Sequence, residues 1–270
     1  RGGSNKPNQP KASSGNPIKP KAVVSTTSGD SKLFPRSNAS LTGLPSTNPL
    51  YMDDTYRNKA EAKVIQIVSG EQESIVITDQ TIFHPQGGGQ PSDEGTMTVG
   101  SNNFEVKKVT KAKETGAILH AGVFRRGSFR EGDVVSQEVN MTKRIFHARI
   151  HSAGHLLDVA MAKIGEQRKP GKGYHYPQGA YVEYIGKIDV KERDAIVTKL
   201  QAAIDELIKS DIATKVELKN NIRHVSVAGV EEGCPCGGTH VRSTGEIKSM
   251  RVTKLKNNKK NARVSYSVEV

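Results

Sequence analysis

Three histidines lie at helical spacing in the middle of the chain. His147, His151 and His155 occupy positions i, i+4 and i+8 of a segment whose apolar residues follow a helical period. Two histidines four residues apart project from the same side of a helix, so both imidazoles can reach one metal ion. All three cannot do so easily, because positions i and i+8 are about 12 Å apart along the helix axis. The spacing predicts that one pair binds a metal, and it leaves the pairs 147/151 and 151/155 open.

A second group of potential ligands lies downstream in the segment CPCGGTH, where Cys236 and His240 flank two glycines and a threonine. The glycines permit a tight turn in which a thiolate and an imidazole converge on one point. Two histidines from a helix, with a cysteine and a histidine from a turn, make a tetrahedral set that suits Zn²⁺. Taken singly, the histidines are also typical of a core or surface pair, and CPCGGTH of a turn that buries its thiols. Their occurrence together favours a zinc site.

The chain has two cysteines, Cys234 and Cys236, separated by Pro235. Cysteines this close seldom form a structural disulfide, so the sequence favours a reducing compartment. Cys234 is then either an alternative metal ligand or a small packed residue.

The segment before the histidines has the pattern of a β-rich domain. Apolar residues alternate in VIQIV and SIVIT on either side of a polar turn, which predicts a β-hairpin. Further short strand patterns with Gly-rich turns predict a small barrel that ends near residue 140. The segment TIFHPQGGGQPSDEG lacks the Lys-Ser/Thr of a nucleotide-binding loop. We interpret its glycines, Gly88 and Gly89 among them, as a close-packed turn that faces the second domain and helps to shape a substrate cleft.

The pattern becomes helical after residue 140. Thr142–Ile164 predicts a helix with Thr142 as its N-cap and Gly165 as its stop, and Val190–Ser210 predicts an amphipathic helix. Strand patterns lie between and after the helices. Together they predict an α+β protein, in which a small β-barrel-like domain precedes an α/β two-layer sandwich. The predicted domains are a disordered basic tail at 1–50, the β-rich domain at 51–140, and the metal-binding domain at 141–270.

The charge of the chain favours a polyanionic partner. The formal net charge is +12, and residues 1–50 contain seven basic residues and one acidic residue. A second basic cluster lies near the C-terminus, where alternation along a strand would place several members on one face. Both features predict phosphate contacts, with solvated surface lysines as the competing interpretation. No apolar run approaches the length of a membrane span. The C-terminal cluster comprises Lys248, Arg251, Lys254, Lys256, Lys259, Lys260 and Arg263.

Three motifs resemble those of a known family. HSAGHLL (151–157) and CGGTH (236–240) resemble the editing domain of alanyl-tRNA synthetase and its freestanding relatives, the AlaX proteins. TIFHPQGGGQPSDEG resembles the glycine-rich segment of the β-domain in the longer AlaX forms. The motifs occur in the family's order, and the resemblance extends from residue 55 to the C-terminus. It implies that His151 pairs with His155, that Cys236 pairs with His240, and that these four residues hold one zinc ion per chain.

The resemblance also implies an activity. We expect a trans-editing hydrolase that deacylates mischarged tRNA(Ala), chiefly with serine and secondarily with glycine, in the cytoplasm, with an organellar form as the alternative. A pocket sized for alanine discriminates weakly against slightly different side chains, so a second hydrolytic site improves fidelity. The expected catalytic residues are His151, His155 and Thr239, and the expected substrate-binding residues are His175, Gln178, Gly88 and Gly89. Alternatively, Thr239 caps its own turn, and His175 and Gln178 are ordinary loop residues.

Other functions are compatible with parts of the pattern. A zinc-stabilised tRNA-binding module without catalysis needs the basic surface alone. A threonyl-type editing deacylase would use the same ligands, but the long Gly-rich β-domain argues against it. A metal-dependent hydrolase of small molecules does not explain the charge. The role of zinc has two versions, in which it either activates water or organises the site.

Overall fold

The computed structural model describes residues 2–3 and 43–269 of the 270-residue chain. Most of the tail predicted at 1–50 therefore lies outside the described residues. Its last part has regular structure, however, since Asn48–Pro49 (β1) pairs in parallel with Gln80–Thr81 (β4). The Thr47 side chain anchors this segment, because its hydroxyl donates to the Thr78 carbonyl. Ordered contacts thus begin a few residues before residue 51, the predicted start of the β-rich domain.

The first half of the described chain is a closed six-stranded barrel, which confirms the predicted barrel. All neighbouring strands are antiparallel, in the order β2, β3, β7, β6, β5, β8 and back to β2. The predicted hairpin is confirmed as the pair β2 and β3. Alternate side chains such as Val76, Met97 and Phe104 point inward and are fully buried, which gives the barrel its own apolar core. The strands are β2 (Lys59–Val68), β3 (Ser74–Thr78), β5 (Gly95–Val99), β6 (Asn102–Lys111), β7 (Ile118–Arg126) and β8 (Val134–Val139).

The second half is a layered α/β structure, as predicted. Two helices pack on one face of a four-stranded antiparallel sheet with the order β14, β15, β10, β9. A separate three-stranded sheet has the order β11, β12, β13. Its elements are α1 (Met141–Lys163), β9 (Pro170–Tyr174), β10 (Ala180–Ile185), α2 (Arg193–Lys209), β11 (Lys215–Lys219), β12 (Ile222–Ser226), β13 (Cys234–Pro235), β14 (Met250–Asn258) and β15 (Asn261–Val268).

The ends of both helices differ slightly from the sequence prediction. Asn140, and not Thr142, caps α1, because its side chain accepts the backbone N–H of Lys143. Before α2, a single 3-10 turn spans Val190–Glu192, and the Asp189 side chain caps that turn. These local hydrogen bonds fix the helix ends more strongly than the apolar period does.

A buried ion pair joins the barrel to α1. Arg144 is fully buried, and its guanidinium contacts the carboxylate of Asp93, at the end of the glycine-rich segment. It also donates to the backbone carbonyls of Thr55 and Ile82. Every carbonyl and carboxylate in this set belongs to the first half of the chain, so one side chain of α1 fixes the glycine-rich segment against the helix that carries the histidines.

Neither helix found in residues 43–269 has the combined length and apolarity that crossing a bilayer requires.

Candidate metal centre

The structure brings four predicted ligands together. The ligand atoms of His151, His155, Cys236 and His240 all lie within 4.8 Å of one another, close enough to hold one metal ion. Cys236 Sγ lies 3.6 Å from His151 Nε2 and 3.2 Å from His240 Nε2. His147, the third histidine of the helical series, is outside this group. The structure therefore assembles the 151/155 pair with the turn, as the family resemblance implied.

Gln90, from the glycine-rich segment of the barrel, orients the first ligand. Its Oε1 accepts the backbone N–H of Thr239, which fixes the direction of the amide. The same oxygen lies 2.7 Å from His151 Nδ1, so that nitrogen must carry the proton and donate it. His151 Nε2 is then unprotonated and faces Cys236, as a metal ligand must.

The other two imidazoles also have a partner at Nδ1. Ser152 Oγ, which accepts the backbone N–H of Val241, lies 3.3 Å from His240 Nδ1. Cys234 Sγ lies 3.3 Å from His155 Nδ1. His155 Nε2 is buried with no hydrogen-bond partner among the described atoms. A buried nitrogen without a partner is unfavourable unless something fills its lone pair, and a metal ion would do so.

The donor set fits zinc better than a hard cation. Three imidazole nitrogens and one sulfur are the ligands that Zn²⁺ prefers, whereas Ca²⁺ and Mg²⁺ prefer oxygen. Burial lowers the pKa of His155 to about 4 and holds the pKa values of His151 and His240 well below their usual range, so all three are neutral near pH 7. Burial raises the pKa of Cys236, so the thiolate needs a cation beside it.

Arg223 from β12 holds in place the turn that carries Cys236 and His240, which we call the ligand turn. Its Nη1 donates to the carbonyls of Cys236 and Gly238, and its Nε donates to the carbonyl of Met52. The turn also requires glycine at position 238, because a Cβ there would lie 2.2 Å from the His151 ring. The sequence indicated the turn, but it gave no sign of the arginine that fixes it.

Thr239 and His175 lie beside the ligands. Thr239 is fully buried, and its hydroxyl accepts from Gln90 Nε2 at 2.8 Å. The His175 ring stacks on His151 with centroids 4.6 Å apart, and its Nδ1 contacts the hydroxyl of Tyr266 at 2.7 Å. That hydroxyl donates to the Ile150 carbonyl, so His175 Nδ1 carries a proton and Nε2 is a free acceptor.

Gln178 and the two glycines have different surroundings. Gln178 is exposed between β9 and β10, and its side chain bonds to none of the other described residues. Gly89 has φ +80°, and its carbonyl accepts the backbone N–H of His175 at 2.8 Å. A Cβ on Gly89 would lie 2.6 Å from the carbonyl oxygen of Gly173, whereas a Cβ on Gly88 would meet nothing within 4 Å. Gly89 therefore lets the barrel approach β9, and Gly88 lies in the open part of the turn.

Sequence reasoning missed three residues of the site, Gln90, Ser152 and Arg223. Gln90 directly follows the glycines, so a polar residue beside a close-packed turn was the available signal. Ser152 directly follows the ligand His151, and a hydroxyl beside a predicted ligand was a weaker signal.

A cleft of about 220 Å³ borders His240 at the junction of the two halves. Two of its lining residues are arginines that are already engaged. Arg223 bonds the ligand turn, and the Arg242 guanidinium lies 3.9 Å from the centroid of the Tyr56 ring. The cleft marks the seam between residues 52–56 and the ligand turn.

The fold and the site together define a class of protein, an aminoacyl-tRNA editing domain with a preceding barrel. Residues 44–143 match the family model described as class II (A) tRNA synthetases. Residues 222–265 match the model for the second additional domain of threonyl and alanyl tRNA synthetases.

Similar proteins identify the family. Alanyl-tRNA editing protein AlaX-M of Pyrococcus horikoshii is 31% identical over 205 residues, which cover 74% of this chain and 88% of the relative. AlaX-L of the same organism is 30% identical over 227 residues, covering 78% of this chain and 55% of the relative. Alanine–tRNA ligase of Halorubrum lacusprofundi is 29% identical over 238 residues, covering 78% of this chain and 24% of the ligase. The chain thus spans about half of AlaX-L and a quarter of the ligase. The chain belongs to the AlaX family of alanyl-tRNA editing proteins.

Proposed function

We propose that this protein is a trans-editing deacylase that hydrolyses the ester of tRNA(Ala) mischarged with serine and, less rapidly, with glycine. The observation that carries the proposal is the four-ligand cluster, whose imidazoles direct Nε2 inward, in a chain of the AlaX family. The substrate is an activated ester, so its hydrolysis needs a positioned water and stabilisation of developing charge.

We propose one zinc ion per chain, held by His151, His155, Cys236 and His240. Zinc bound there would place a positive charge beside the ester and hold the pocket in shape. Four protein donors complete a tetrahedral set, which supports an organising role for the ion over a purely water-activating one.

The remaining residues position and recognise substrate in this proposal. His175 Nε2 is a neutral acceptor, because burial lowers the His175 pKa to about 4, and it is suited to accept a hydrogen bond from the serine hydroxyl or from water. Alanine would leave this acceptor without a hydroxyl partner, which supports a preference for serine over alanine. Thr239 is fully buried, so we assign it to positioning through Gln90 and not to substrate contact.

The other predicted substrate contacts are assigned by their exposure. Gln178 and Gly88 are exposed, and we assign them to contact with the tRNA end at the rim of the site. Gly89 supports that rim through its bond to His175. Cys234 is exposed whereas His151 and His240 are buried, which supports an approach of substrate from the side of Cys234.

We retain the division into a tail at 1–50, a barrel domain at 51–140 and an editing domain at 141–270 as a proposal. Two separate apolar cores support it, one inside the barrel and one between the helices and the four-stranded sheet. The free thiols of Cys234 and Cys236 support a reducing compartment, and we propose the cytoplasm.

The test is a deacylation assay with Ser-, Gly- and Ala-tRNA(Ala), and with Ser-tRNA(Thr) as a fourth substrate. Wild type should release serine from tRNA(Ala) fastest and leave alanine, and His151→Ala and Cys236→Ala should abolish release. Lys199→Gln, on the exposed side of α2, is the matched surface control and should behave as wild type.

Each other outcome has a distinct meaning. Decay of every ester at the rate of buffer alone would contradict the proposed activity and leave a tRNA-binding module. Preference for Ser-tRNA(Thr) would identify a threonyl-type deacylase on the same fold.

A further inference from the structure

The four-stranded sheet has one face turned away from the helices. Val182, Val264 and Leu255 point towards α1 and α2 and belong to the apolar core between the layers. Because side chains alternate along a strand, their neighbours Tyr181 and Arg263 point to the opposite face. These outward residues are exposed or partly exposed, so this face is available to a partner.

Three tyrosines and an arginine form a column on this face. The Tyr174 ring stacks on Tyr176, with centroids 4.4 Å apart and planes at 13°, and on Tyr181, at 5.4 Å and 18°. The guanidinium carbon of Arg263 lies 3.9 Å from the centroid of the Tyr181 ring. Three tyrosine rings are therefore held nearly parallel, and the Arg263 guanidinium lies at one end of the column.

The arginine at one end of the column is fixed in position. Glu183 accepts from Arg263 Nη2 at 2.6 Å and from Nε at 3.0 Å, and Asn258 donates to the same carboxylate oxygen at 2.8 Å. Glu183 is the one acidic residue among the outward positions of these four strands, and Arg263 already neutralises it. The column thus exists before any partner binds.

Basic residues surround the column. Lys172 lies two residues before Tyr174 on β9, and Arg251, Lys254 and Lys256 lie on β14 with exposed side chains. None of these four residues has an ion-pair partner in the described part of the chain. A sheet face with aromatic rings and unpaired positive charge has the chemistry that binds single-stranded nucleic acid, since aromatic rings pack against bases and basic side chains neutralise phosphates.

We propose that this surface binds an unpaired RNA strand, with bases packing against the edges of the tyrosine rings and phosphates following the β14 cations. We call it the tyrosine face, and it consists of Lys172, Tyr174, Tyr176, Tyr181, Arg251, Lys254, Lys256 and Arg263. Under the proposed function, on which this part rests, the strand is the unpaired 3′ end of the tRNA. Tyr174 directly precedes His175, whose ring stacks on the ligand His151 on the helix-facing side of the sheet, so the edge strand β9 alone separates the tyrosine face from the candidate metal centre.

The competing interpretation is that the tyrosines only stabilise the sheet through cross-strand packing. Binding separates the two, and it can be measured without any catalysis. The probe is a fluorescein-labelled RNA tetranucleotide, ACCA, and the comparison ligand is a blunt RNA hairpin without unpaired ends. Fluorescence anisotropy gives the Kd of each for the full chain.

Two sets of variants test the rings and the charges separately. Tyr174→Leu and Tyr181→Leu remove the rings, while Tyr174→Phe and Tyr181→Phe keep them. The pair Lys254→Gln and Lys256→Gln removes two charges from the tyrosine face, and the pair Lys199→Gln and Lys209→Gln removes two from exposed positions of α2. Thermal melting identifies any variant that does not fold, and the Phe and Gln variants then carry the test.

We expect each Leu variant to raise the Kd for the tetranucleotide about tenfold, and each Phe variant to stay near wild type. The β14 lysine pair should reduce the slope of log Kd against log salt by about 1.4, because each single-strand phosphate contact contributes about 0.7. Tyrosine variants should not change the Kd for the hairpin.

An unchanged Kd for the tetranucleotide in the folded Leu variants would overturn the proposed role of the tyrosine face. The same follows if the α2 lysine pair reduces the salt slope as much as the β14 lysine pair does. The absence of measurable tetranucleotide binding to wild type would overturn it as well. Ring-dependent RNA binding in a protein that deacylates nothing would support the tyrosine face and count against the proposed function, so the two can fail independently.

Discussion

The barrel and the second half contribute to the candidate metal centre in opposite ways. The second half supplies all four ligands, His151 and His155 from α1 and Cys236 and His240 from the turn after β13. The barrel supplies no ligand among the described residues, but its Gln90 sets the tautomer of His151 and holds the backbone of Thr239. One half therefore provides donor atoms, and the other provides their orientation.

This difference explains why the contact between the halves is so strongly fixed. The Gln90 amide can orient the His151 ring only if the glycine-rich segment does not shift relative to α1. Arg144 and Asp93 provide that restraint with a fully buried ion pair, and Gly89 allows the same segment to approach β9. The comparison predicts that changes at the junction act on stability and that changes at Gln90 act on metal affinity. A change in the second half that is remote from both the ligands and the junction should have the smallest effect.

The largest effect should come from breaking the junction. Arg144→Met leaves the Asp93 carboxylate buried and unpaired, which should lower the free energy of unfolding by about 3–5 kcal/mol in urea denaturation. The double variant Arg144→Met, Asp93→Leu removes both charges and should recover much of the loss. A decrease below about 1 kcal/mol for the single variant would show that the ion pair does not hold the halves together.

A smaller effect is expected from removing the orienting amide. Gln90→Leu keeps the volume but deletes the acceptor of His151 Nδ1–H, so zinc affinity should fall about 10- to 100-fold in competition with a chromophoric chelator. Gln90→Glu keeps an acceptor oxygen and should stay closer to wild type. Gln86→Leu makes the same change at an exposed position of the same segment and should bind zinc normally. Equal affinity for Gln90→Leu and wild type would remove the proposed role of the barrel.

The smallest effect belongs to the second half alone. Burial raises the pKa of Asp158 from 3.8 to about 6, although a hydrogen bond from the Tyr184 hydroxyl partly opposes this. The folded state then binds the proton more tightly than the unfolded state, so this carboxyl favours folding at low pH and loses that contribution as pH rises from about 4 to 6.

Asp158→Asn should therefore gain stability relative to wild type as pH rises through this window, on the order of 1 kcal/mol after allowance for partial exposure. The measurement is the free energy of unfolding of both proteins between pH 4 and 8. All other titrating groups are shared, so the difference isolates this carboxyl. A difference that does not vary with pH would show that burial does not perturb Asp158.

The sequence was most informative where chemistry is local. Histidines four residues apart on a helix and a cysteine four residues before a histidine in a Gly-rich turn are short-range patterns, and they reduced the candidate ligands to a short list. The family resemblance was needed to choose the pair His151 and His155 over His147 and His151. Alternation, which is also a local pattern, predicted the barrel strands and an outward basic face near the C-terminus. Thr142 failed as a cap because Asn140 offers a side-chain acceptor earlier in the chain.

Long-range partners could not be predicted in this way. Gln90 and Thr239 are 149 residues apart, and their contact depends on how a barrel loop packs against a sheet. The exposure of Gln178 and the burial of Thr239 are also set by tertiary packing, and no local pattern distinguishes them. Cys234 and Cys236 have the same chemistry and nearly the same sequence position, yet the structure places Cys234 Sγ at His155 Nδ1 and Cys236 Sγ among the inward nitrogens.

That last distinction allows the most direct test of the central claim, which is that four side chains of the second half hold one zinc ion and Cys234 remains outside the ligand set. X-ray absorption at the zinc edge of the loaded full chain counts the ligands by type. The predicted result is one sulfur at about 2.3 Å and three nitrogens at about 2.0–2.1 Å, unchanged in Cys234→Ser and without sulfur in Cys236→Ser. Two sulfurs per zinc, or no stoichiometric zinc, would contradict it.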